Sequence, residues 1–242
     1  MFTGQTGGVR ITRRTLLRAG ASTGLLAALA ACGNSGVRSA ASNRSGVAGN
    51  PSPTGVGVLP AAESTRTKFA MVGDSITKAS AKPLTDVLEQ LGFVDISIEA
   101  EVSRRIAVGD GKHEPLSGVK TMFNMIHDGV QPDVWAVAMG TNDVGKYDDA
   151  GAYGALIDQM MSMPDPKVPI VWVDVYNPNQ LPGTRMFNLV LRDRAARRGN
   201  ATVLSWFDLA SDPKEKILRT DHIHPNEQGA AVFADLVSKA VA

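Results

Sequence analysis

The chain has 242 residues, of which 43% are hydrophobic and 20% are charged, and its formal net charge is +1. This composition is typical of a soluble globular protein and excludes a disordered or membrane-embedded one. A charge so close to zero, without a basic patch interleaved with aromatic residues, argues against a nucleic-acid partner.

The N-terminal segment TRRTLLRAGASTGLLAALAAC, residues 12–32, has the pattern of an export signal. It begins with basic residues and continues into a short apolar run at 25–31. That run cannot span a bilayer, because a transmembrane helix needs about 20 apolar residues. Residues 1–31 are therefore predicted to be a signal peptide rather than an anchor helix.

Two features of this segment bear on how the protein is exported and held. Arg13 and Arg14, followed by two leucines, resemble a twin-arginine signal. Residues 29–32 resemble a bacterial lipobox, which implies that Cys32, the single cysteine, is lipidated and becomes the mature N-terminus. The alternative is a plain secretory signal with an incidental cysteine.

Removal of the signal would also change the charge of the protein. The four arginines before Cys32 are unaccompanied by acids, so their loss takes the net charge from +1 to −3. A mildly acidic mature protein gives no reason to expect a polyanionic substrate.

Residues 32–66 are predicted to be a flexible linker between the anchor and a folded domain. Gly, Ser, Ala, Asn and Pro dominate this segment, and no apolar period runs through it. Such a sequence cannot bury enough surface to offset the entropy of ordering it. The folded domain is therefore expected to occupy residues 67–242, a common size for a single domain.

Within that domain, apolar runs alternate with helix-length amphipathic segments. Strands are predicted at 68–72, 95–100, 134–139, 169–175 and 202–206, and helices near 80–91, 117–128, 149–163, 184–198 and 226–241. Runs such as VWAVAM and PIVWVDV are nearly continuously apolar, which is typical of parallel strands covered on both faces. The pattern predicts an α/β fold, a three-layer α/β/α sandwich around a five-stranded parallel sheet.

Three segments that follow predicted strands carry polar residues to one edge of this sheet. Ser75 lies in GDS after the first strand, Asn142 lies in GTND after the third, and Asp221 and His224 lie in TDHIHPNEQG after the fifth. Each segment is weak evidence alone, because Ser75 could be a helix cap and Asn142 a turn-former. Together they deliver a hydroxyl, an amide and an acid–imidazole pair to one place.

In these residues and their order, residues 67–242 resemble the SGNH hydrolases, the GDSL-type esterase and lipase family. The resemblance implies a flavodoxin-like fold and ester hydrolysis with no cofactor and no metal. It implies that Ser75 is the nucleophile, that His224 and Asp221 complete a triad, and that Asn142 stabilises the oxyanion. The chemistry agrees, since a serine hydroxyl needs a neighbouring base and the oxyanion needs donors such as the Ser75 N–H and the Asn142 amide.

One departure from the family pattern concerns the third oxyanion donor. The family usually places a glycine N–H after the second strand, whereas this chain reads EVSRRIAVGDG, with Ser103 or Arg104 at that point. Either residue could supply a backbone N–H, which needs no particular side chain. Alternatively, the Arg104 guanidinium itself could bind an anionic acyl or glycan group of the substrate.

Several alternatives remain open from the sequence. His222 could replace His224 as the base, and the HIH sequence is also a weak zinc signal. The expected location is the extracytoplasmic face of the membrane, to which the enzyme would be lipid-anchored. The expected substrates are the acylated envelope glycans or lipids found there. The segment RMFNLVLRDRAARRGNATVLSWFDLA, residues 185–210, also resembles SGNH domains fused to membrane acyltransferases. The alternatives are therefore an O-acyltransferase acting on envelope glycans or a catalytically silent glycan-binding module.

Overall fold

The computed structural model describes residues 9–14 and 66–242. The predictions for the linker, the lipobox and Cys32 therefore lie outside the described residues. No helix within the described ranges combines the length and the apolarity needed to cross a membrane.

Five parallel strands form the main sheet and confirm the predicted α/β class. They are β2 (Lys68–Gly73), β3 (Asp95–Ala100), β4 (Val134–Ala138), β5 (Ile170–Val173) and β6 (Ala201–Leu204). Their order across the sheet is β3-β2-β4-β5-β6. The chain thus builds outwards on opposite sides of β2, and such a switch point is where sites form in open α/β sheets.

A sixth strand, β1 (Val9–Arg14), lies antiparallel to β3 at the edge of the sheet. Its register pairs Val9 with Ala100 and Arg14 with Asp95. This strand was not expected from the sequence, because it falls inside the segment assigned to the signal peptide.

Helices cover both faces of the sheet. They are α1 (Ser75–Gln90), α2 (Gly118–His127), α3 (Ala150–Met161), α4 (Leu181–Arg198), α5 (Trp206–Ser211) and α6 (Glu227–Val241), with a 3-10 turn at Pro178–Gln180. Alternate residues of β4 enter two separate cores: Val134 and Ala136 pack with residues of α1 and α6, while Trp135 and Val137 pack with residues of α2, α3 and α4. This alternation is what a sheet buried on both faces requires, and it gives the three predicted layers.

Several element boundaries differ from the sequence expectation, and two of them have a clear local cause. The first helix begins at Ser75 rather than near residue 80, because the Asp74 carboxylate accepts the Ile76 N–H at 2.9 Å and caps the helix directly after β2. The last strand ends at Leu204, and Trp206 begins α5 instead of continuing the strand, although it is fully buried. The Phe207 N–H donates to Asp174 at 2.7 Å, which fixes this helix start against β5.

Candidate active site

Ser75 is the first residue of α1, at the carboxyl end of β2. It does not cap the helix, because that role belongs to Asp74. The Ser75 hydroxyl is therefore free of capping and lies at the switch point of the sheet. A tight packing of Gly73 against Thr77 holds this strand-to-helix turn, since a Cβ at Gly73 would lie 2.0 Å from the Thr77 hydroxyl.

His224 and Asp221 complete a continuous relay with Ser75. His224 Nε2 lies 2.9 Å from Ser75 Oγ, and His224 Nδ1 lies 2.9 Å from Asp221 Oδ2. The loop that carries both residues is closed by the Arg219 N–H, which donates to the His224 carbonyl at 2.8 Å. The hydroxyl, imidazole and carboxylate thus have the spacing that proton transfer from a serine requires.

Asp221 is held as an anion by its surroundings. Its Oδ1 accepts the backbone N–H groups of Ile223 and His224, both at 2.9 Å. Slight burial raises the pKa of Asp221, but these two N–H donors and the His224 ring lower it to about 2. The carboxylate is therefore ionised at neutral pH and can stabilise a protonated imidazole.

His222 lies away from this relay. Its backbone has a φ of 58°, in the left-handed region, and its N–H donates to the Arg219 carbonyl at 3.0 Å. Its side chain lines a separate hollow of about 410 Å³, together with Tyr176, Ile217 and Leu218. In the described part of the chain, no three His, Cys, Asp or Glu side chains are grouped so as to hold a metal ion.

Asn142 follows β4, as predicted, and its side-chain amide turns towards the β3 loop. Asn142 Nδ2 donates to the Arg104 carbonyl at 3.0 Å and lies 3.5 Å from Asp74 Oδ2. The turn that places it depends on Gly140, whose φ is 124° and whose missing Cβ would lie 2.5 Å from the Phe187 ring. The longer contact with Asp74 is a weak hydrogen bond, so its amide hydrogen is the one that an oxyanion could take over.

Ser103 and Arg104 are distinguished by their backbones. Ser103 has a φ of 60°, the left-handed conformation that glycine favours, and it is exposed. Within residues 66–242 the Ser103 N–H has no hydrogen-bond acceptor, whereas the Arg104 N–H donates to the Glu101 carbonyl at 3.4 Å. Of the two residues, Ser103 therefore has the backbone conformation that glycine favours and an N–H without an acceptor in the described chain.

The Arg104 side chain has a role that the sequence did not indicate. Its guanidinium is buried and donates to the carbonyls of Gly73 at 3.0 Å, Glu99 at 2.8 Å and Leu116 at 3.0 Å. It thus closes the carboxyl ends of β2 and β3 beneath the site. This geometry is against the alternative in which the Arg104 guanidinium binds substrate.

Two buried carboxyl groups flank the Asn142 segment. Burial raises the pKa of Asp74 to about 6, against the lowering effect of the Ile76 N–H and the Thr141 side chain. Burial likewise raises the pKa of Asp143 to about 6, opposed by the Ile106 N–H and by Arg105. Asp143 accepts the Ile106 N–H at 3.0 Å and so ties the β4 turn to the β3 loop.

A larger hollow, of about 980 Å³, lies at the β3 side of the site and includes Ser103 and Asn142 in its lining. The smaller hollow beside His222 lies towards β5 and β6, where Tyr176 and Ala210 follow those strands. Each of these two hollows is large enough for a ligand of drug or disaccharide size.

Comparisons with known proteins agree with this geometry. The family described as the GDSL-like Lipase/Acylhydrolase family matches residues 71–232. This range begins in β2 and ends in α6, so it contains all the candidate site residues of the folded domain. The chain matches no curated protein sequence.

Solved structures share the fold at low sequence identity. The C-terminal catalytic domain of Streptococcus pneumoniae peptidoglycan O-acetyltransferase A is 18% identical with a TM-score of 0.57, over 74% of this chain and 94% of that one. A psychrotrophic esterase from Pseudoalteromonas sp. is 13% identical with a TM-score of 0.53, over 72% and 96%. A lipolytic G-D-S-L family protein from Veillonella parvula is 16% identical with a TM-score of 0.56, over 70% and 95%. At these identities the likeness shows the fold alone.

Proposed function

The chain belongs to the GDSL-like lipase/acylhydrolase family, and from this membership we propose that it is a serine esterase. From the predicted export signal we further propose that it acts outside the cytoplasm. The proposed reaction is hydrolysis of carboxylic esters through an acyl-enzyme on Ser75. The observation that carries the proposal is the relay from Ser75 Oγ through His224 to Asp221, with both contacts at 2.9 Å. A silent glycan-binding module has no need of such a relay.

In the first half of the reaction, Ser75 Oγ attacks the ester carbonyl while His224 Nε2 takes its proton. The ionised Asp221 stabilises the protonated ring through Nδ1. The negative charge on the former carbonyl oxygen is met by the N–H groups of Ser75 and Ser103 and by Asn142 Nδ2. Collapse of the intermediate releases the alcohol, which receives its proton from His224.

In the second half, water attacks the acyl-enzyme with His224 again acting as base. The carboxylic acid leaves and the proton returns to Ser75 Oγ. The proton transfers use Ser75, His224 and Asp221, which already lie within hydrogen-bond distance of one another.

The natural substrates follow from the proposed location. We place the enzyme on the outer face of the membrane, tethered through a lipid on Cys32, where acylated envelope glycans and lipids are the available esters. The twin-arginine pair and the lipobox support this placement, and both rest on the sequence alone.

The test is reaction with a fluorophosphonate probe, which labels an activated serine whatever the natural substrate. The wild-type protein should be labelled and should hydrolyse p-nitrophenyl acetate, whereas Ser75→Ala should do neither while keeping its melting temperature. Absence of labelling in the folded wild-type protein would overturn the esterase proposal.

Acyl transfer is the second candidate, and the size of the hollow beside Asn142 favours it. At about 980 Å³, the hollow has room for a sugar whose hydroxyl would compete with water for the acyl-enzyme. The fold is also that of a peptidoglycan O-acetyltransferase domain. Mass spectrometry of a chito-oligosaccharide incubated with enzyme and p-nitrophenyl acetate distinguishes the two, because transfer adds acetyl groups and hydrolysis yields only acetate.

A further inference from the structure

The hollow beside Ser103 and Asn142 is rich in cationic side chains. Its charged lining comprises Arg104, Arg105, Lys112, Lys146, Glu101 and Glu114. Arg104 is used by backbone carbonyls below the site, and Glu101 is paired with Lys78 at 3.0 Å. Arg105 is paired with Asp143 at 3.4 Å but keeps further N–H donors, so the groups left for a ligand are the remaining donors of this arginine and two lysines, against one glutamate.

Arg105 is held in place by contacts on one side of its guanidinium. Its Nε donates to Asp143 Oδ1 at 3.4 Å, and its Nη2 donates to the Tyr147 hydroxyl at 3.0 Å. Its Cζ also lies 5.7 Å from the centre of the Tyr147 ring. Within residues 66–242 its Nη1 has no acceptor, so both N–H groups of Nη1 remain on a guanidinium whose orientation is already fixed. A fixed arginine fork is suited to a carboxylate.

Lys112 and Lys146 lie exposed at the rim of the same hollow. Neither side chain forms an ion pair with another described residue. Lys112 belongs to the loop after β3 and Lys146 to the turn after β4, so the two lysines approach the hollow from different elements. Their positive charge is local, since the domain as a whole is mildly acidic.

We propose that this hollow binds a carboxylate carried by the ester substrate, with Arg105 as its anchor and Lys112 and Lys146 at its rim. This inference rests on the proposed function, because the hollow shares Ser103 and Asn142 with the proposed oxyanion site. The carboxylate can belong to the acyl group, as in a succinyl ester, or to the alcohol, as in an acetylated acidic sugar. Both place the same charge close to the scissile bond.

Two matched pairs of esters separate these sources. p-Nitrophenyl hemisuccinate against p-nitrophenyl butyrate varies charge on the acyl side, and 4-acetoxybenzoate against 4-acetoxybenzamide varies it on the alcohol side. The wild-type enzyme should favour the carboxylated member of one pair in kcat/KM. The double variant Lys112→Gln with Lys146→Gln should reduce that preference roughly three- to tenfold, and Arg105→Lys should reduce it roughly tenfold or more.

The matched control is the double variant Lys167→Gln with Lys239→Gln, which removes the same charge elsewhere. Lys167 precedes β5, at the amino ends of the parallel strands and away from the site, and Lys239 is paired with Asp235 on α6. This control should leave the preference for the carboxylated ester unchanged. A preference that falls equally in both double variants would reflect net charge and would overturn the proposal.

A binding measurement separates failure of this inference from failure of the proposed function. Saturation-transfer NMR of succinate and of 4-acetoxybenzoate with Ser75→Ala protein needs no turnover. Binding that disappears in the Lys112→Gln, Lys146→Gln background supports the anion site even if the wild-type protein hydrolyses no ester. No binding, together with equal rates on the charged and neutral esters, would overturn the inference while leaving the esterase proposal standing.

Discussion

The Asn142 side-chain amide donates to the main-chain carbonyl of Arg104 at 3.0 Å, which joins the turn after β4 to the loop after β3. The same loop carries Ser103, whose N–H is the other candidate donor from this side. The two donors are therefore positioned relative to each other by one hydrogen bond. Their contributions to the reaction differ because one donor is a side chain and the other is backbone.

Removing the Asn142 amide should be far more damaging than removing the Ser103 side chain. Asn142→Ala should lower kcat on p-nitrophenyl acetate about 100-fold or more, since it deletes a donor to the oxyanion. Ser103→Ala should stay within roughly tenfold of wild type, and Ser103→Gly should also be active, because both keep the N–H. An activity loss in Ser103→Ala as deep as that in Asn142→Ala would show that the Ser103 hydroxyl takes part directly.

Arg104→Ala should be both unstable and slow. The substitution removes hydrogen bonds to three carbonyls, one buried and two partly buried, and we expect the free energy of unfolding to fall by about 3 kcal/mol. Catalysis should fall too, because Gly73 and the Arg104 backbone hold the β2 turn and Asn142. The control is Arg185→Ala on α4, an exposed arginine that should be neutral. Urea unfolding and kcat measurements check this, and a stable, fully active Arg104→Ala protein would contradict it.

Asp74→Asn should become more stable relative to wild type as pH rises. Burial raises the pKa of Asp74 from 3.8 in the unfolded chain to about 6. Between about pH 4 and pH 6 the unfolded state therefore binds fewer protons, and the wild-type free energy of unfolding falls with increasing pH. The asparagine side chain does not titrate, so the variant does not show this loss of stability. The free energy of unfolding of Asp74→Asn, minus that of wild type, should therefore rise by about 3 kcal/mol between about pH 3.5 and pH 7. A difference that is constant across this range would argue against burial of an ionised Asp74.

Mutation of the two histidines in the loop before α6 should affect kcat very differently. His224→Ala should reduce kcat by on the order of 1000-fold or more, because it removes the base 2.9 Å from Ser75 Oγ. His222→Ala should stay within roughly tenfold, since that side chain lines the neighbouring hollow. An active His224→Ala enzyme together with an inactive His222→Ala enzyme would reverse the assignment of the base.

Export and anchoring can be tested apart from catalysis. Cys32→Ala should move the protein from the membrane fraction to the soluble extracytoplasmic fraction, because it removes the proposed lipid attachment. Arg13→Lys combined with Arg14→Lys should block export if the twin-arginine signal is used. Normal export of this double variant would indicate the general secretory route.

The placement of Ser75 and Asn142 could be predicted because each closely follows an apolar strand of a parallel sheet, and such strands end at a common edge. Asp221 and His224 lie in the loop between α5 and α6, so the strand pattern alone does not bring them to this edge. The choice of His224 over His222 rested on the family resemblance. The structure agrees with that choice, since only His224 contacts Ser75 in the described chain.

The Arg104 and Ser103 roles could not be predicted in the same way. The three carbonyls that hold the Arg104 guanidinium come from separate parts of the chain, Gly73, Glu99 and Leu116. An arginine in a loop is ordinarily exposed, and no local pattern shows that it turns inwards. The left-handed φ of Ser103 is equally hidden, because serine gives no signal for a conformation that glycine would have marked.

The antiparallel pairing of β1 with β3 has a consequence for the maturation of the protein. If the chain is cleaved before Cys32, as proposed, β3 loses this partner and becomes an edge strand of the sheet. An exposed edge strand can pair with a strand of another molecule, and charged side chains on the edge strand oppose such pairing. Asp95 and Glu99 lie near the two ends of β3. In the mature protein, these carboxylates would oppose self-association at the edge that β1 covers before cleavage.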